Sequence, residues 1–162
     1  MKPKTKLKLE KKWLSLPIHF IDTSVVYGAF LEGEEFKIEC NNYLNKIGYK
    51  YRGHLSISVI GEIFMILQDK VVSESDKEFF IRFFYRLIIK RAIALIGTSF
   101  EAYKKALELR NFSYQLDPTD TLHLAVAITS GTRKFVTLDQ KLIENLEIQT
   151  KFDIDILHPK DL

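Results

Sequence analysis

IHFIDTSVVYGAFL, residues 18–31, is the stretch on which the fold turns. Ile18 to Ile21, apolar except at His19, form a run of strand length, too short to be a buried helix. Thr23 to Leu31 then reads as a helix, and Asp22 stands at the junction. A short apolar strand that passes at once into a helix is the repeating unit of a parallel sheet covered on both faces.

Working outward, the same alternation continues. Glu34 to Ile47 reads as a second helix, and Leu55 to Ser58 as a strand. A helix follows from Val59 to about Asp69; its apolar residues surround most of the circumference, which predicts substantial burial. Ser73 and Ser75, with Asp76 and Glu78 three residues on, offer alternative capping boxes for a helix reaching Ile89. Ala92 to Ile96 is the next strand. Thr98 with Glu101 supplies another capping box, for a helix that ends near Asn111, a residue suited to a left-handed cap. Asp117 caps a helix that opens on Pro118, where the missing amide is no loss. Lys134 to Thr137 is a strand, Gln140 to Asn145 a short helix and Phe152 to Leu157 a last strand. These elements predict an α/β chain, a three-layer α/β/α sandwich with a central, mainly parallel sheet joined by right-handed crossovers. In such sheets ligands bind beyond the carboxyl ends of the strands. Asp22 and Asp139 fall just past two of those ends.

With 162 residues, 46% of them hydrophobic and 28% charged, the chain is expected to fold as one domain with a sizeable core. No apolar stretch reaches the roughly 18 residues of a membrane span. The lysine-rich start lacks the features of a secretory signal, so a cytoplasmic location is expected. The single cysteine, Cys40, excludes a disulfide framework and any cysteine-based zinc cluster. It reads as a semi-buried thiol on the second helix. A net charge of +3 is only a mild bias toward polyanions. Residues 1–16 read as a basic arm, with six lysines between Lys2 and Lys12 and Pro17 closing it, ahead of a domain over 17–162. The arm is either a solvated tail or a phosphate contact.

Four acidic residues sit where apolar runs end or helices begin: Asp22, Glu62, Asp120 and Asp139. Asp22 could cap the helix after it, Asp139 could do the same, and Asp120 in a first helical turn suits the helix dipole. Glu62 lies about one turn inside an apolar helix, where an uncompensated carboxylate is costly and needs a cationic partner. Gly61 beside it marks either a close approach of another element or a plain loss of helix propensity. Together the four suggest a carboxylate cage for a divalent metal.

The ordered segments I-D22-T23-S24, S58-V-I-G-E62, D120-T-L-H-L-A-V-A127 and V-T137-L-D139 resemble the motifs of PIN-domain ribonucleases, over about Ile18 to Leu157. The resemblance implies that Asp22, Glu62, Asp120 and Asp139 are catalytic metal-site residues, with Thr23, Ser24 and Thr137 supporting the carboxylates or positioning substrate. Asp117 reads first as a cap, and His123, one turn after Asp120, as a packing or hydrogen-bonding histidine. An oxygen-only set suits Mg²⁺ or Mn²⁺ better than zinc.

The expected activity is metal-dependent hydrolysis of phosphodiester bonds in RNA, single-stranded or structured. Lys50, Arg52, Arg133, Lys134 and Lys141 are candidate RNA contacts, and Arg82, Arg86 and Lys90 form a basic row on the aromatic helix around Phe79, Phe80, Phe83, Phe84 and Tyr85. That aromatic face is expected in the core or at a homodimer interface. The resemblance also implies a possible antitoxin protein as partner, although the lysine-rich arm departs from the compact toxin pattern. The rival reading is a non-catalytic PIN scaffold that binds RNA or a protein; the presence of all four acids favours the enzyme.

Overall fold

Strand β1 (Ile18–Ile21) is a parallel-sheet strand because neither of its faces reaches water: Phe20 and Ile21, which point to opposite sides, are both 0% exposed. The computed structural model of the chain describes residues 13–68, 72–113 and 116–162. After β1 come α1 (Thr23–Gly28), α2 (Lys37–Leu44), β2 (Arg52–Ser56), α3 (Ile57–Leu67), α4 (Glu74–Ile89), β3 (Ile93–Ile96), α5 (Phe100–Phe112), α6 (Pro118–Thr129), β4 (Lys134–Val136), α7 (Gln140–Ile143), α8 (Leu146–Phe152) and β5 (Asp155–Leu157). Lys2 to Lys12 of the basic arm lie outside the described residues.

The five strands form one parallel sheet in the order β3-β2-β1-β4-β5. Side chains alternate across it and build two cores. Ile21, Leu55, Ile93 and Val136 pack with α1 to α4 on one face. Phe20, Phe135 and Ile156 pack with α5 to α8 on the other. This is the expected three-layer sandwich. The direction of winding reverses between β1 and β4, which are neighbours in the sheet but far apart in sequence. A crevice opens at such a switch point.

Several boundaries moved. β2 starts at Arg52, and Ser56 caps α3 by accepting from the Ser58 amide, so the helix begins two residues before Val59. Ser73, not Ser75, caps α4, and Ser99, not Thr98, caps α5. The expected left-handed cap at Asn111 does not form: α5 runs to Phe112 and ends on extended Ser113. The left-handed residue is Asp153, which turns α8 into β5. α8 itself was read as loop and strand, although Asn145 caps it and Glu147 sits in its first turn.

The larger correction concerns α3. Its apolar circumference predicts burial, yet only Val59 and Ile63 are buried, while Phe64 and Met65 are 62% and 72% exposed. It packs through one stripe and leaves the rest uncovered. The aromatic helix α4 is divided in the same way: Phe80, Phe84 and Leu87 are buried, whereas Phe79 and Tyr85 are exposed. Cys40 is fully buried, and burial, then Glu39 and Glu34, push its thiol up to about 12, so it is inert.

Gly61 was read as a possible close-approach glycine. A Cβ built there meets nothing within 4 Å. Gly61→Ala is therefore expected to stabilise the fold by about 0.5–1 kcal/mol through helix propensity alone. A rise in the urea midpoint with unchanged m-value would bear this out; a fall would mean that the site is covered by something else.

Candidate metal centre

Asp22 occupies the N-cap position of α1, but its side chain makes no capping hydrogen bond. The backbone explains why it is free to turn inward: the Asp22 amide donates to the Val136 carbonyl at 2.9 Å, holding the end of β1 against the end of β4. Asp22 is buried, at 4% exposed. Its Oδ2 accepts from Ser24 Oγ at 2.6 Å and Thr137 Oγ1 at 2.9 Å, and its Oδ1 lies 3.2 Å from His123 Nδ1. Capping does not account for this residue; a convergent set of side-chain donors holds it.

The other expected residues arrive from three further elements. Thr23 Oγ1 donates to Glu62 Oε2 at 2.6 Å, which ties α1 to α3. Thr137 also accepts the Asp139 amide at 3.1 Å, and Ser24 accepts the Leu138 amide at 3.0 Å, so the loop after β4 is fastened to the same network. Thr23, Ser24 and Thr137 thus all touch the carboxylates or the loop that carries one. Asp139 caps α7 by accepting from the Lys141 amide at 2.8 Å, and Asp117 caps α6 through the Thr119 amide at 2.8 Å. Asp120 makes no hydrogen bond among the described residues; its place in the cluster is set by the first turn of α6.

His123 was read as a packing or hydrogen-bonding histidine. It does hydrogen-bond, but into the acidic cluster. One face of α6 presents Asp120 and His123 together, and ligand atoms of Asp22, Asp120 and His123 all lie within 4.8 Å of one another. His123 Nε2 is 3.1 Å from Glu62 Oε1, at an angle that makes no hydrogen bond, and is buried without a partner. Glu62 was expected to need a cation. No lysine or arginine pairs with it among the described residues; its neighbours are the Thr23 hydroxyl and the His123 ring, and it is partly exposed. Sequence reasoning missed Tyr27, one turn after Thr23. Burial, then the charges of Glu34, Asp22 and Asp120, raise its phenol, which puts it at the rim of the cluster.

The charges shape one another. Burial, then Asp22, Asp139 and Asp117, push the Asp120 carboxyl up to about 6. Burial acts upward on Asp22 as well, but the bond to His123, the Ser24 hydroxyl, the His123 charge and the Thr137 hydroxyl outweigh it and hold that carboxyl below its ordinary value. Burial pulls His123 down, and the bond and charge of Asp22 with the charges of Glu62 and Asp120 outweigh it upward. A carboxyl that resists ionisation beside another fixed as an anion, with an unpartnered imidazole nitrogen, fits a divalent cation. The two carboxylates suit Mg²⁺ or Mn²⁺, and the imidazole adds a nitrogen donor that Mn²⁺ accepts more readily.

A pH dependence follows. Asp120 titrates near 6 in the fold against an ordinary 3.8, so its ionisation costs stability as pH rises between those values. The raised His123 likewise stabilises the fold below its ordinary 6.5 and loses that contribution as pH climbs through the folded value. A metal ion must displace these protons, so Mn²⁺ affinity is expected to climb from about pH 5 to about pH 7 with proton release. Calorimetric titration across that range in two buffers of different ionisation enthalpy checks it, and a flat affinity would contradict the assignment.

The candidate RNA contacts divide. Lys141 lies on α7 beside Asp139, but Arg52 and Lys134 open β2 and β4, with Lys50 and Arg133 just before them. All strands run parallel, so their starts lie on the edge opposite Asp22. Those four cations do not serve this cluster.

Residues 19–147 match the model of the PIN domain family. No curated protein matches the chain. Among solved structures it is similar to FitAcB from Neisseria gonorrhoeae, with a TM-score of 0.63 and 13% identity over 89% of this chain and 99% of that one. VapBC2 from Rickettsia felis, bound to a DNA fragment from its promoter, gives a TM-score of 0.63 and 16% identity over 87% and 98%. Mycobacterium tuberculosis VapC20, a sarcin-ricin loop cleaving toxin, gives 0.57 and 15% over 75% and 90%. At these identities the likeness establishes the fold.

Proposed function

The chain belongs to the PIN domain family, and from that membership we propose that it is a metal-dependent endoribonuclease, the toxin of a toxin-antitoxin pair. The observation that carries the reading is the convergence of Asp22, Asp120 and His123 on one point at the sheet's switch point, with Glu62 and Asp139 beside them. Asp22 and Asp120 would hold the ion, with Glu62 and Asp139 completing the acidic set and His123 either keeping its bond to Asp22 or supplying a nitrogen. A bound divalent cation would offset charge on the scissile phosphate and ease deprotonation of water near neutral pH. The chain's own residues do the positioning. Ser24 and Thr137 fix the orientation of Asp22, Thr23 fixes Glu62, and His123 spans the two carboxylates.

The test is cleavage of single-stranded RNA with Mg²⁺ or Mn²⁺ and its loss on chelation. RNA left intact by folded, metal-loaded protein would favour the scaffold reading. The toxin role has separate support. An apolar groove of about 390 Å³ between α3 and α4, lined by Ile60, Phe64, Leu67, Ile81, Tyr85 and Ile88, suits the apolar face of a partner helix. A structure from Klebsiella pneumoniae that is similar to this chain is described as a toxin-antitoxin complex. Controlled expression should arrest growth, and co-expression with a small acidic neighbouring gene product should relieve it. Growth unaffected by active protein would count against the toxin role. Homodimerisation is proposed through the exposed stripe Phe100, Tyr103 and Leu107 on α5, and light scattering on Leu107→Glu tests it.

A further inference from the structure

The edge of the sheet opposite the acidic cluster carries a second cavity, of about 240 Å³. Strands of this length separate the two edges by roughly 10–15 Å. Arg86 and Lys90, on successive turns at the end of α4, line the cavity together with Trp13, Asn45, Gly48 and Tyr49, and no carboxylate is among the described residues that line it. Arg82, one turn earlier on the same helix, is by contrast bonded to Glu78. Arg86 and Lys90 form no ion pair among the described residues. The dipole at the end of α4 accounts for basic residues there. It does not account for two like charges on successive turns over a cavity with no acid among its described lining, nor for the rings beside them.

The aromatic wall is built. Gly48 adopts φ +86, and a Cβ there would meet the Ala92 Cβ at 3.1 Å, so the chain turns tightly against the start of β3 and projects Tyr49, which is 76% exposed. Trp13 is held by the Arg52 guanidinium 4.8 Å above its ring, while Arg52 Nη2 donates to the Leu14 carbonyl. Arg52 forms no ion pair among the described residues, and the Trp13 ring and the Leu14 carbonyl are what its guanidinium engages.

We propose that this cavity binds a nucleotide phosphate, with the phosphate between Arg86 and Lys90 and the base against Tyr49 and Trp13. Cations for the phosphate and ring faces for the base are the two elements of nucleotide recognition without sequence preference. At about 240 Å³ the cavity lies just below the usual range for small-ligand sites, so it would hold the phosphate and part of the base, with the rest of the nucleotide outside it. The phosphate belongs either to a free nucleotide or to a single-stranded RNA whose scissile region lies elsewhere. The site does not depend on the nuclease reading.

Trp13 is the only tryptophan, so its emission reports on this cavity. The full chain, in chelator to prevent hydrolysis, is titrated with AMP, adenosine, inorganic phosphate and a 5′-phosphorylated tetranucleotide. A saturable change is expected with AMP or the tetranucleotide, with weaker responses to adenosine and phosphate alone. Arg86→Gln with Lys90→Gln should weaken it roughly tenfold or more, Tyr49→Ala should weaken it too, and Asp22→Asn should leave it unchanged. Tighter binding of AMP than of the tetranucleotide identifies a free nucleotide, and the reverse identifies an RNA strand. No saturable change with either ligand, wild-type binding by the double variant, or phosphate binding as tightly as AMP would overturn the proposal.

Discussion

Asp22→Asn is expected to abolish metal-dependent RNA cleavage while leaving the protein folded. Asparagine keeps the volume of the side chain and an oxygen for the Ser24 and Thr137 hydroxyls, which donate at 2.6 and 2.9 Å, but it removes a buried carboxylate whose bonds to His123, Ser24 and Thr137 hold it below its ordinary value. Loss of about 3 kcal/mol or more of charge stabilisation lowers the rate more than roughly hundredfold. A companion observable separates this from general damage. Asp22 is the largest charged influence raising Asp120, so in the variant the Asp120 carboxyl should fall from about 6 toward its ordinary value. Carboxyl-resolved NMR titration, a melting curve and cleavage rates answer together. A variant that cleaves at the wild-type, metal-dependent rate would remove Asp22, and the cluster with it, from the chemistry.

Phe135→Ala carries the largest expected loss of stability. Phe135 is 0% exposed at the centre of β4, beside Phe20 of β1, with ring centroids 5.7 Å apart and planes 13° from parallel. Truncation removes the burial and leaves a cavity that a sheet backed by α5 to α8 cannot close, at a cost of about 3–5 kcal/mol. Against a total stability of about 5–15 kcal/mol, that is a large share. Urea unfolding should show a much lower midpoint at similar m-value. A loss below about 1 kcal/mol would mean that the two phenylalanines do not form the contact that links β1 and β4. The consequence for the site is direct, because the same strand pair carries the bond from the Asp22 amide to Val136.

Much of this was legible in the chain. The run Ile18–Ile21, apolar except at His19 and followed at once by a helix, identified a buried parallel strand, because apolar residues on both faces of a strand require cover on both sides. The hydroxyls of Thr23, Ser24 and Thr137 were singled out with the acids, and in the structure each one donates to a carboxylate of that set. Capping signals survived only to within one or two residues, since Thr98 and Ser99, or Ser73 and Ser75, present equivalent hydroxyls and the first turn of the helix chooses between them. The burial of α3 was misjudged for a different reason. Composition reports how much apolar surface a helix has, not how much of it the rest of the chain covers.

His123 marks the boundary most clearly. Its spacing from Asp120 placed both on one face of α6, but whether the ring packed, bonded or joined the acids depended on residues 101 positions away in Asp22 and on a different helix in Glu62. The same holds for the basic residues before β2 and β4, which local sequence could not set against the far edge of the sheet. By itself, then, the sequence determined the element types, the parallel sheet and the acids to watch, because periodicity, turn chemistry and motif order are local. Only the tertiary structure decided which of those groups share a space and which charges stand alone, because proximity across the sheet is fixed by strand order and packing.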